Sequence, residues 1–211
     1  MDKQSHWNKV WTRNQESEVS WFQERPDLSI DLVQRHAADK NSRILDVGSG
    51  SSRLVDALLT DGYEHVGVPD VAAPALDLAR SRLGDLALSV EWIVADVTSY
   101  EPSHRWDVWH DRAAFHFLVD AGEQQLYVRT LRCALSPDGV VVIATFGPDG
   151  PKKCSGLDVM RHNPESLCEV FGAGFVLLEI HVEVHRTPSR ADQQYVFCVF
   201  RRDTRHDNED A

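Results

Sequence analysis

A short strand that runs into two glycines constrains this chain more than any other feature. Residues 44–47 have strand character, Gly48 and Gly50 follow at once, and a helical pattern begins directly after them. Glycine allows a sharp turn and lets a ligand approach the peptide groups, because no Cβ is present to clash. Asp46 places a carboxylate at the carboxyl end of the strand, where open α/β sheets bind ligands. The stretch therefore predicts an α/β fold with a ligand site at this turn.

The glycine turn alone leaves the ligand open. A dinucleotide-binding turn carries a third glycine at the position that Arg53 holds here, so this chain departs from that pattern. A different nucleotide-like cofactor and an ordinary tight turn both agree with the same residues. The carboxylates that follow later in the chain are needed to choose between them.

Composition bounds the class of protein. The chain has 211 residues, 42% of them apolar and 26% charged, which is typical of one soluble domain. The net charge of −11 argues against nucleic acid and anionic membranes as partners. No segment approaches the roughly 20 apolar residues of a membrane span, and the polar N-terminus has no signal-peptide pattern. We expect a single domain over residues 1–204, with a disordered tail at 205–211.

The four cysteines are far apart and form no C-x-x-C motif. Reduced thiols and a cytoplasmic location are therefore expected, and no metal site is predicted. His181 and His185 lie four residues apart in a predicted strand. This spacing separates them by roughly 13 Å, too far for a shared metal ion.

The strand and helix pattern predicts a doubly wound sheet. Strands expected after the glycine turn are 66–70, 90–96, 106–112 and 140–146, followed by a helix and a strand pair at 176–184 and 195–200. In the first strand of that pair, apolar side chains alternate with Glu and His, which predicts an edge-like strand with one wet face. The expected fold is a Rossmann-like, seven-stranded, mostly parallel sheet with an antiparallel C-terminal hairpin.

Carboxylates recur at the strand ends. Asp70 lies 24 residues after Asp46, the spacing at which nucleoside-binding α/β folds place a ribose-hydroxyl acceptor, although a helix cap would also explain it. Asp96 ends the third strand, where its carboxylate can accept from an adenine amino group or can serve a turn. Asp111 leaves the fourth strand.

Half of the six tryptophans lie in a short polar segment before the sheet, at positions 7, 11 and 21, together with Phe22. Such large aromatic side chains must cover something. We expect residues 5–36 to form a helix packed on the domain, a lid over the ligand, or both.

As a set, these features resemble the class I, seven-strand S-adenosylmethionine (SAM) methyltransferases. More narrowly, His6-Trp7, 19–22, 45–52, Asp96-Val97 and Asp111 resemble the group that holds eukaryotic elongation-factor-1A lysine methyltransferases and uncharacterised bacterial relatives. Those lysine enzymes carry Asp-Lys-Gly-Thr after the fourth strand, whereas this chain has Asp111-Arg112-Ala113-Ala114. The departure leaves the cofactor assignment in place and puts a lysine acceptor in doubt.

The resemblance implies SAM as cofactor and S-adenosylhomocysteine as product. It implies that Gly48 to Ser52 wrap the methionine part, that Asp70 holds the ribose, and that Asp96 and Val97 meet the adenine. The full predicted cofactor set is Trp21, Asp46, Gly48, Ser49, Gly50, Ser52, Asp70, Val71, Asp96, Val97 and Asp111. Trp21 or Phe22 can also attract the sulfonium through cation–π contacts.

Methyl transfer to N, O or S is an in-line displacement that mainly requires positioning, with a base for an alcohol or an ammonium. The predicted catalytic residues are Asp111 and His116, and the predicted substrate residues are Phe22, Arg112, Phe115 and His116. Pairing with Arg112 would equally explain Asp111, and packing would equally explain His116.

The expected acceptor is a small molecule, with protein lysine as the alternative. A nicotinamide oxidoreductase and an inactive SAM-binding module are less favoured. The chain is expected to be a monomer or a homodimer.

Overall fold

The computed structural model describes residues 2–206, and it contains the predicted succession of strands and helices. The helices are α1 (Lys3–Arg13), α2 (Asp27–His36), α3 (Leu54–Thr60), α4 (Ala73–Leu83), α5 (Ala121–Ala134) and α6 (Pro164–Phe171). The strands are β1 (Arg43–Val47), β2 (His65–Asp70), β3 (Val90–Val94), β4 (Trp106–Arg112), β5 (Leu135–Phe146), β6 (Lys153–Cys154), β7 (Leu157–Asp158), β8 (Phe175–Arg186) and β9 (Asp192–Arg202).

Seven strands form one sheet in the order β3-β2-β1-β4-β5-β9-β8. The first five strands in this order are parallel to one another, and β9 runs antiparallel to both β5 and β8. The predicted Rossmann-like sheet with its antiparallel hairpin is thereby confirmed. Because the strand order reverses between β1 and β4, the glycine turn after β1 lies at the switch point where such sheets bind ligands.

Helices cover both faces of the sheet. On one face α2 and α3 bury Leu32 and Leu58 against Ile44. On the other face α5 and α6 bury Tyr127 and Phe171, together with Trp109 and Phe200 of the sheet. A separate cluster joins Trp11 and Val19 of the N-terminal segment to the start of α4. Within residues 5–36, for which a packed helix or a lid is expected, Asp27–His36 form α2.

The edge strand β8 exposes its apolar face to water, although its composition suggests that the polar face would be the exposed one. The exposed side chains are Val176 (37%), Leu178 (40%), Ile180 (50%), Val182 (61%) and Val184 (62%). The Glu and His residues between them face the N-terminal segment instead. There Glu179 accepts hydrogen bonds from Arg35 and His36, and His185 contacts the carbonyl of Ser20 at 2.8 Å. Polar partners on that side outweigh the usual inward preference of apolar side chains.

The bounds of two strands differ from the sequence prediction. Strand β5 begins at Leu135, ahead of the predicted residue 140, and includes Asp138 with a φ of +61°. The last strand extends over Asp192–Arg202, beyond the predicted 195–200, and the segment between β5 and α6 contains the short hairpin β6–β7. Thr204–His206 form a 3-10 turn, and residues 207–211 of the predicted tail lie outside the described residues. Within residues 2–206, no helix has the length and apolar character to cross a bilayer.

Candidate cofactor site

Both glycines of the turn are required sterically. Gly48 and Gly50 have φ angles of +58° and +59°, a region that favours glycine. A Cβ on Gly48 would lie 2.4 Å from the Cβ of Ala114, and a Cβ on Gly50 would lie 2.2 Å from the Trp11 ring. The turn therefore fits closely between the exit of β4 and helix α1.

Asp70 organises the loop beside this turn. Its Oδ2 accepts a hydrogen bond from the Gly50 amide at 2.8 Å, and its Oδ1 accepts one from the Ala72 amide at 2.7 Å. Burial raises the pKa of Asp70 to about 6, although both amide hydrogen bonds act to lower it. A carboxylate oxygen has more than one lone pair, so a ligand hydroxyl can still bind. Loop support and ribose binding are therefore compatible roles, and ribose binding stays a prediction.

A buried hydrogen-bonded chain lies beneath the turn. Asp46 Oδ1 contacts Nδ1 of His110 at 2.7 Å, and Nε2 of His110 contacts the Ser29 hydroxyl at 2.9 Å. All three side chains are buried and line the same cavity. The sequence patterns did not point to His110 or Ser29. The pairing of Asp46 with His110 in the β1–β4 register brings them together, and only the fold reveals that register.

Two buried oxygens at the turn have no hydrogen-bond partner among the described residues: Oδ2 of Asp46 and Oγ of Ser49. Buried polar atoms are nearly always paired. Both residues line the cavity. These oxygens therefore fit a ligand that carries hydrogen-bond donors, such as the amino group of a bound amino acid.

One cavity of about 370 Å³ collects the predicted residues. Of the predicted cofactor set, all members except Gly50 and Asp111 line it. Gly50 lies behind the Trp11 ring. Asp96 lines the cavity and also accepts hydrogen bonds from the amide and hydroxyl of Thr98, at 2.9 and 2.7 Å. Asp96 therefore serves a turn, and its predicted contact with the adenine is compatible with that role and stays a prediction.

Aromatic side chains of the N-terminal segment form one wall of the cavity. Trp7 lies edge-on to Trp21 at 6.0 Å and to Phe117 at 4.9 Å, and Trp11 lies edge-on to Trp21 at 5.8 Å. Phe22 also lines the cavity. Aromatic faces attract cations, so this wall suits a positively charged ligand centre.

Glu16 fastens the N-terminal segment to the glycine turn. Its carboxylate accepts from the Ser51 hydroxyl at 2.7 Å, from Arg53 at 3.0 Å and from Arg82 at 2.5 Å. Burial acts to raise the pKa of Glu16, but these hydrogen bonds and the charge of Arg82 together lower it. The segment thus lies against the cavity, and its role as a lid stays a prediction.

The structure gives Asp111 a role different from the predicted one. Its Oδ1 accepts from the Ala114 amide at 2.9 Å, and its Oδ2 accepts from the Tyr127 hydroxyl at 2.8 Å. The side chain is fully buried, and burial raises its pKa to about 6. Asp111 does not line the cavity. Its carboxylate holds the chain that leaves β4, and nothing in the geometry supports a base or a cofactor contact.

His116 and Phe115 also lie outside the cavity. His116 is fully buried, its ring lies tilted at 4.5 Å from the ring of Phe146, and it accepts from the Phe146 amide at 3.3 Å. Burial lowers the pKa of His116 to about 3, so the ring is neutral. Phe115 packs at 4.8 Å from Tyr127 in the core. Because neither residue borders the cavity, its lining does not support the predicted catalytic and substrate roles of His116 or the predicted substrate role of Phe115.

Arg112 does line the cavity. Its Nη1 donates to the Trp21 carbonyl at 3.1 Å, its guanidinium lies 4.3 Å from the centre of the Tyr195 ring, and Nη2 is 3.5 Å from Glu183. A buried positive charge is thereby placed beside the aromatic wall. Within residues 2–206, no cluster of three or more His, Cys, Asp or Glu has the arrangement of a metal site.

Comparison with known proteins agrees with this geometry. Residues 44–139 match the family described as "Methyltransferase domain". Malonyl-[acyl-carrier protein] O-methyltransferase 1 of Ilyobacter polytropus is 27% identical over 126 residues, which is 54% of this chain and 46% of that protein. N-terminal Xaa-Pro-Lys N-methyltransferase 1 of Danio rerio is 30% identical over 102 residues, 47% of this chain and 45% of that protein. The chain spans about half the length of the curated relatives it matches.

A solved structure shares the whole fold. The 1,6-didemethyltoxoflavin-N1-methyltransferase of Burkholderia thailandensis, solved with 1,6-didemethyltoxoflavin and S-adenosylhomocysteine bound, superposes with a TM-score of 0.68. The superposition covers 94% of this chain and 83% of that one, at 21% identity. Residues 44–139 therefore match the methyltransferase domain family, and the chain shares the Rossmann-like, seven-stranded fold of that solved methyltransferase.

Proposed function

We propose that this chain is a SAM-dependent methyltransferase that transfers a methyl group to an N, S or O nucleophile of a small molecule. The observation that carries the proposal is the single cavity in which the glycine turn, the strand-end carboxylates of β1 and β2, and an aromatic wall meet. The matching family and the shared fold support the same activity.

The residues present fit SAM. Gly48, Ser49 and Ser52 line the cavity and would hold the methionine part, and the unpaired Oδ2 of Asp46 would suit its ammonium group. Asp70 would accept from the ribose hydroxyls, and Asp96 with Val97 would meet the adenine. When bound, SAM would supply an electrophilic methyl group on a sulfonium. Trp21, which is part of the aromatic wall, would suit that positive charge.

The chain's own contribution is to position the reactants and to exclude water. The N-terminal segment covers the cavity, and the ion pairs of Glu16 hold it there. Neither Asp111 nor His116 lines the cavity, so neither is proposed as a base for the acceptor. An acceptor that is already nucleophilic fits best, namely a neutral amine, a thiolate or a carboxylate.

A small acceptor fits a cavity that the N-terminal segment covers. Arg112 and Phe22 remain the proposed substrate contacts, because both line the cavity, whereas Phe115 and His116 do not. The name of the Ilyobacter relative refers to an acyl-carrier-bound acceptor and that of the zebrafish relative to a protein N-terminus. Protein methylation is therefore the alternative. A cytoplasmic location, in keeping with four free cysteines, is part of the proposal.

Two measurements test the function. Calorimetry with SAM, S-adenosylhomocysteine and NAD should give binding heat for the first two only. Tight NAD binding without SAM binding would end the methyltransferase proposal.

The acceptor is tested with radiolabelled SAM and a lysate of the source organism, separated into small-molecule and macromolecular fractions. Label is expected in the small-molecule fraction. Label confined to one protein band would overturn the small-molecule acceptor and favour protein methylation.

A further inference from the structure

The exposed apolar side of β8 is an unusual surface for a soluble domain. Five apolar side chains alternate along it, and their exposure rises from 37% at Val176 to 62% at Val184. We call these five residues (Val176, Leu178, Ile180, Val182 and Val184) the β8 stripe. A contiguous exposed apolar patch of this kind usually marks a site of interaction with another molecule.

β8 is also an open edge of the sheet. It lies at the end of the strand order, so its outer backbone groups face no further strand among the described residues. Its 12 residues include neither proline nor lysine, the usual protections of an edge. The opposite edge, β3, has only five residues. The long edge and the apolar stripe together favour the addition of another strand.

We propose that a second copy of this chain occupies the surface, and that the two β8 strands pair antiparallel about a two-fold axis at Val182. In this register Val182 faces its own copy and Ile180 faces Val184, which joins the three most exposed members of the stripe. The β8–β9 ladder has its irregularity between Leu177 and Glu179. The pairing proposed here uses residues 179–185 and avoids that irregularity.

The charges on the other side of β8 favour this register. With the axis at Val182, His181 faces Glu183 and His185 faces Glu179, so no two carboxylates lie opposite each other, while Glu179 and His185 keep their partners in α2 and at Ser20 within each copy. An axis at His181 would place Glu179 opposite Glu183, and an axis at Glu183 would place that residue opposite itself. Parallel pairing in register would also set like residues together. Like charges directly opposite each other destabilise a sheet.

Axes at Ile180 and Val184 are the remaining alternatives within residues 179–185. An axis at Ile180 would bring the irregular position Leu178 into the paired region, opposite Val182, and would keep only the pair of Glu179 with His181. An axis at Val184 would place Val182 opposite Arg186, the last residue of β8, and would keep only the pair of Glu183 with His185. A two-fold interface uses the same patch on both copies. The self-complementary sequence around Val182 meets this requirement best, so a homodimer with a continuous sheet of two domains is inferred.

The first test is the oligomeric state of the full chain by sedimentation equilibrium. A dimer is expected, and Val182→Lys should weaken it at least tenfold, because two ammonium groups would meet at the axis. Leu88→Lys is the matched control, since Leu88 is 89% exposed and lies far along the chain from β8. A monomer at all concentrations, or equal weakening by both variants, would overturn the proposal.

The second test fixes the register by disulfide trapping. In a chain with Cys133→Ser and Cys168→Ser, Val182→Cys should give a covalent dimer on oxidation by copper phenanthroline, because directly opposite Cβ atoms lie within about 5.5 Å. Ile180→Cys should not, since the two copies of residue 180 would be about 13 Å apart. Trapping by Ile180→Cys instead would overturn the axis at Val182.

Discussion

The glycine turn after β1 and the exit of β4 lie at neighbouring strand ends, yet they differ in how they contact the cavity. Both carry an aspartate, and both aspartates were expected at the ligand. At the glycine turn, Asp46 lines the cavity and keeps one oxygen unpaired. At the exit of β4, Asp111 has both oxygens bound by the protein and lies outside the cavity.

Side-chain alternation explains the difference. Successive residues of a strand point to opposite faces. In β4, His110 and Arg112 point to the face that holds the cavity, while Asp111 points to the face covered by α5, where Tyr127 binds it. A position at the end of a strand therefore places a residue at the edge of the sheet where ligands bind. The face to which its side chain points, which alternates from one residue to the next, decides whether it can meet a ligand.

Loss of the Asp70 carboxylate should have the largest effect on the ligand side of this comparison. Asp70→Ala is expected to weaken SAM binding by about 2–4 kcal/mol, because a charge-assisted acceptor is lost and two backbone amides lose their partner. Calorimetry measures the change. Asp77→Ala is the control, since Asp77 is exposed on the next helix and pairs only with Arg80. Equal effects of the two variants would mean that Asp70 has no contact with the cofactor.

Asp111→Asn should show the opposite profile. We expect a loss of about 1–3 kcal/mol in the free energy of unfolding, because an amide provides one acceptor oxygen where the carboxylate provides two. The affinity for SAM should stay within twofold of the wild-type value. Denaturant unfolding and calorimetry on the same sample give both numbers. A large loss of SAM affinity in a stable variant would contradict this prediction and would show that Asp111 contributes to cofactor binding.

The buried chain under the glycine turn offers a finer comparison. His110→Phe removes the imidazole that contacts Asp46 at 2.7 Å, and the carboxylate is then buried without that partner. We expect SAM affinity to fall by about 1–2 kcal/mol, because the Asp46 carboxylate loses the hydrogen bond that orients it toward the cavity. Ser29→Ala, which removes only the far end of the chain, should cost less. An unchanged affinity in His110→Phe would exclude a positioning role.

Sequence patterns predicted features that depend on spacing along the chain. The turn at Gly48 and Gly50, the carboxylate of Asp70 and the succession of strands all follow from local periodicity and distance in sequence. The lid follows from the concentration of tryptophans in a polar segment. That Trp11 would lie directly against Gly50 depends on tertiary packing, which no local pattern encodes.

Features that depend on which face meets which neighbour were not predictable in this way. His116 is adjacent to the expected site in sequence but lies in the core against Phe146. The alternation in β8 identified two faces correctly and did not reveal which one is wet. The polar face is covered because Ser20 and α2 supply hydrogen-bond partners for it.

The smallest expected effect concerns pH, and it separates the two aspartates once more. Burial raises the pKa of Asp111 to about 6, above its value in an unfolded chain. The folded protein therefore holds a proton at pH 5 that the unfolded chain releases, so this group stabilises the fold more at pH 5 than at pH 7. His116 and His162 act in the opposite direction, because burial lowers their pKa values to about 3 and about 4.

The measurement is therefore a difference between variants. The wild-type chain should gain about 1 kcal/mol of unfolding free energy relative to Asp111→Asn between pH 7 and pH 5. SAM affinity should behave differently. It should fall as the pH drops through about 6 in the wild type and in Asp111→Asn, because protonation of Asp70 removes an anionic acceptor. In Asp70→Asn this fall should be absent. If Asp111→Asn also abolished it, the titrating group at the cofactor would be Asp111, and the distinction between the two strand ends would fail.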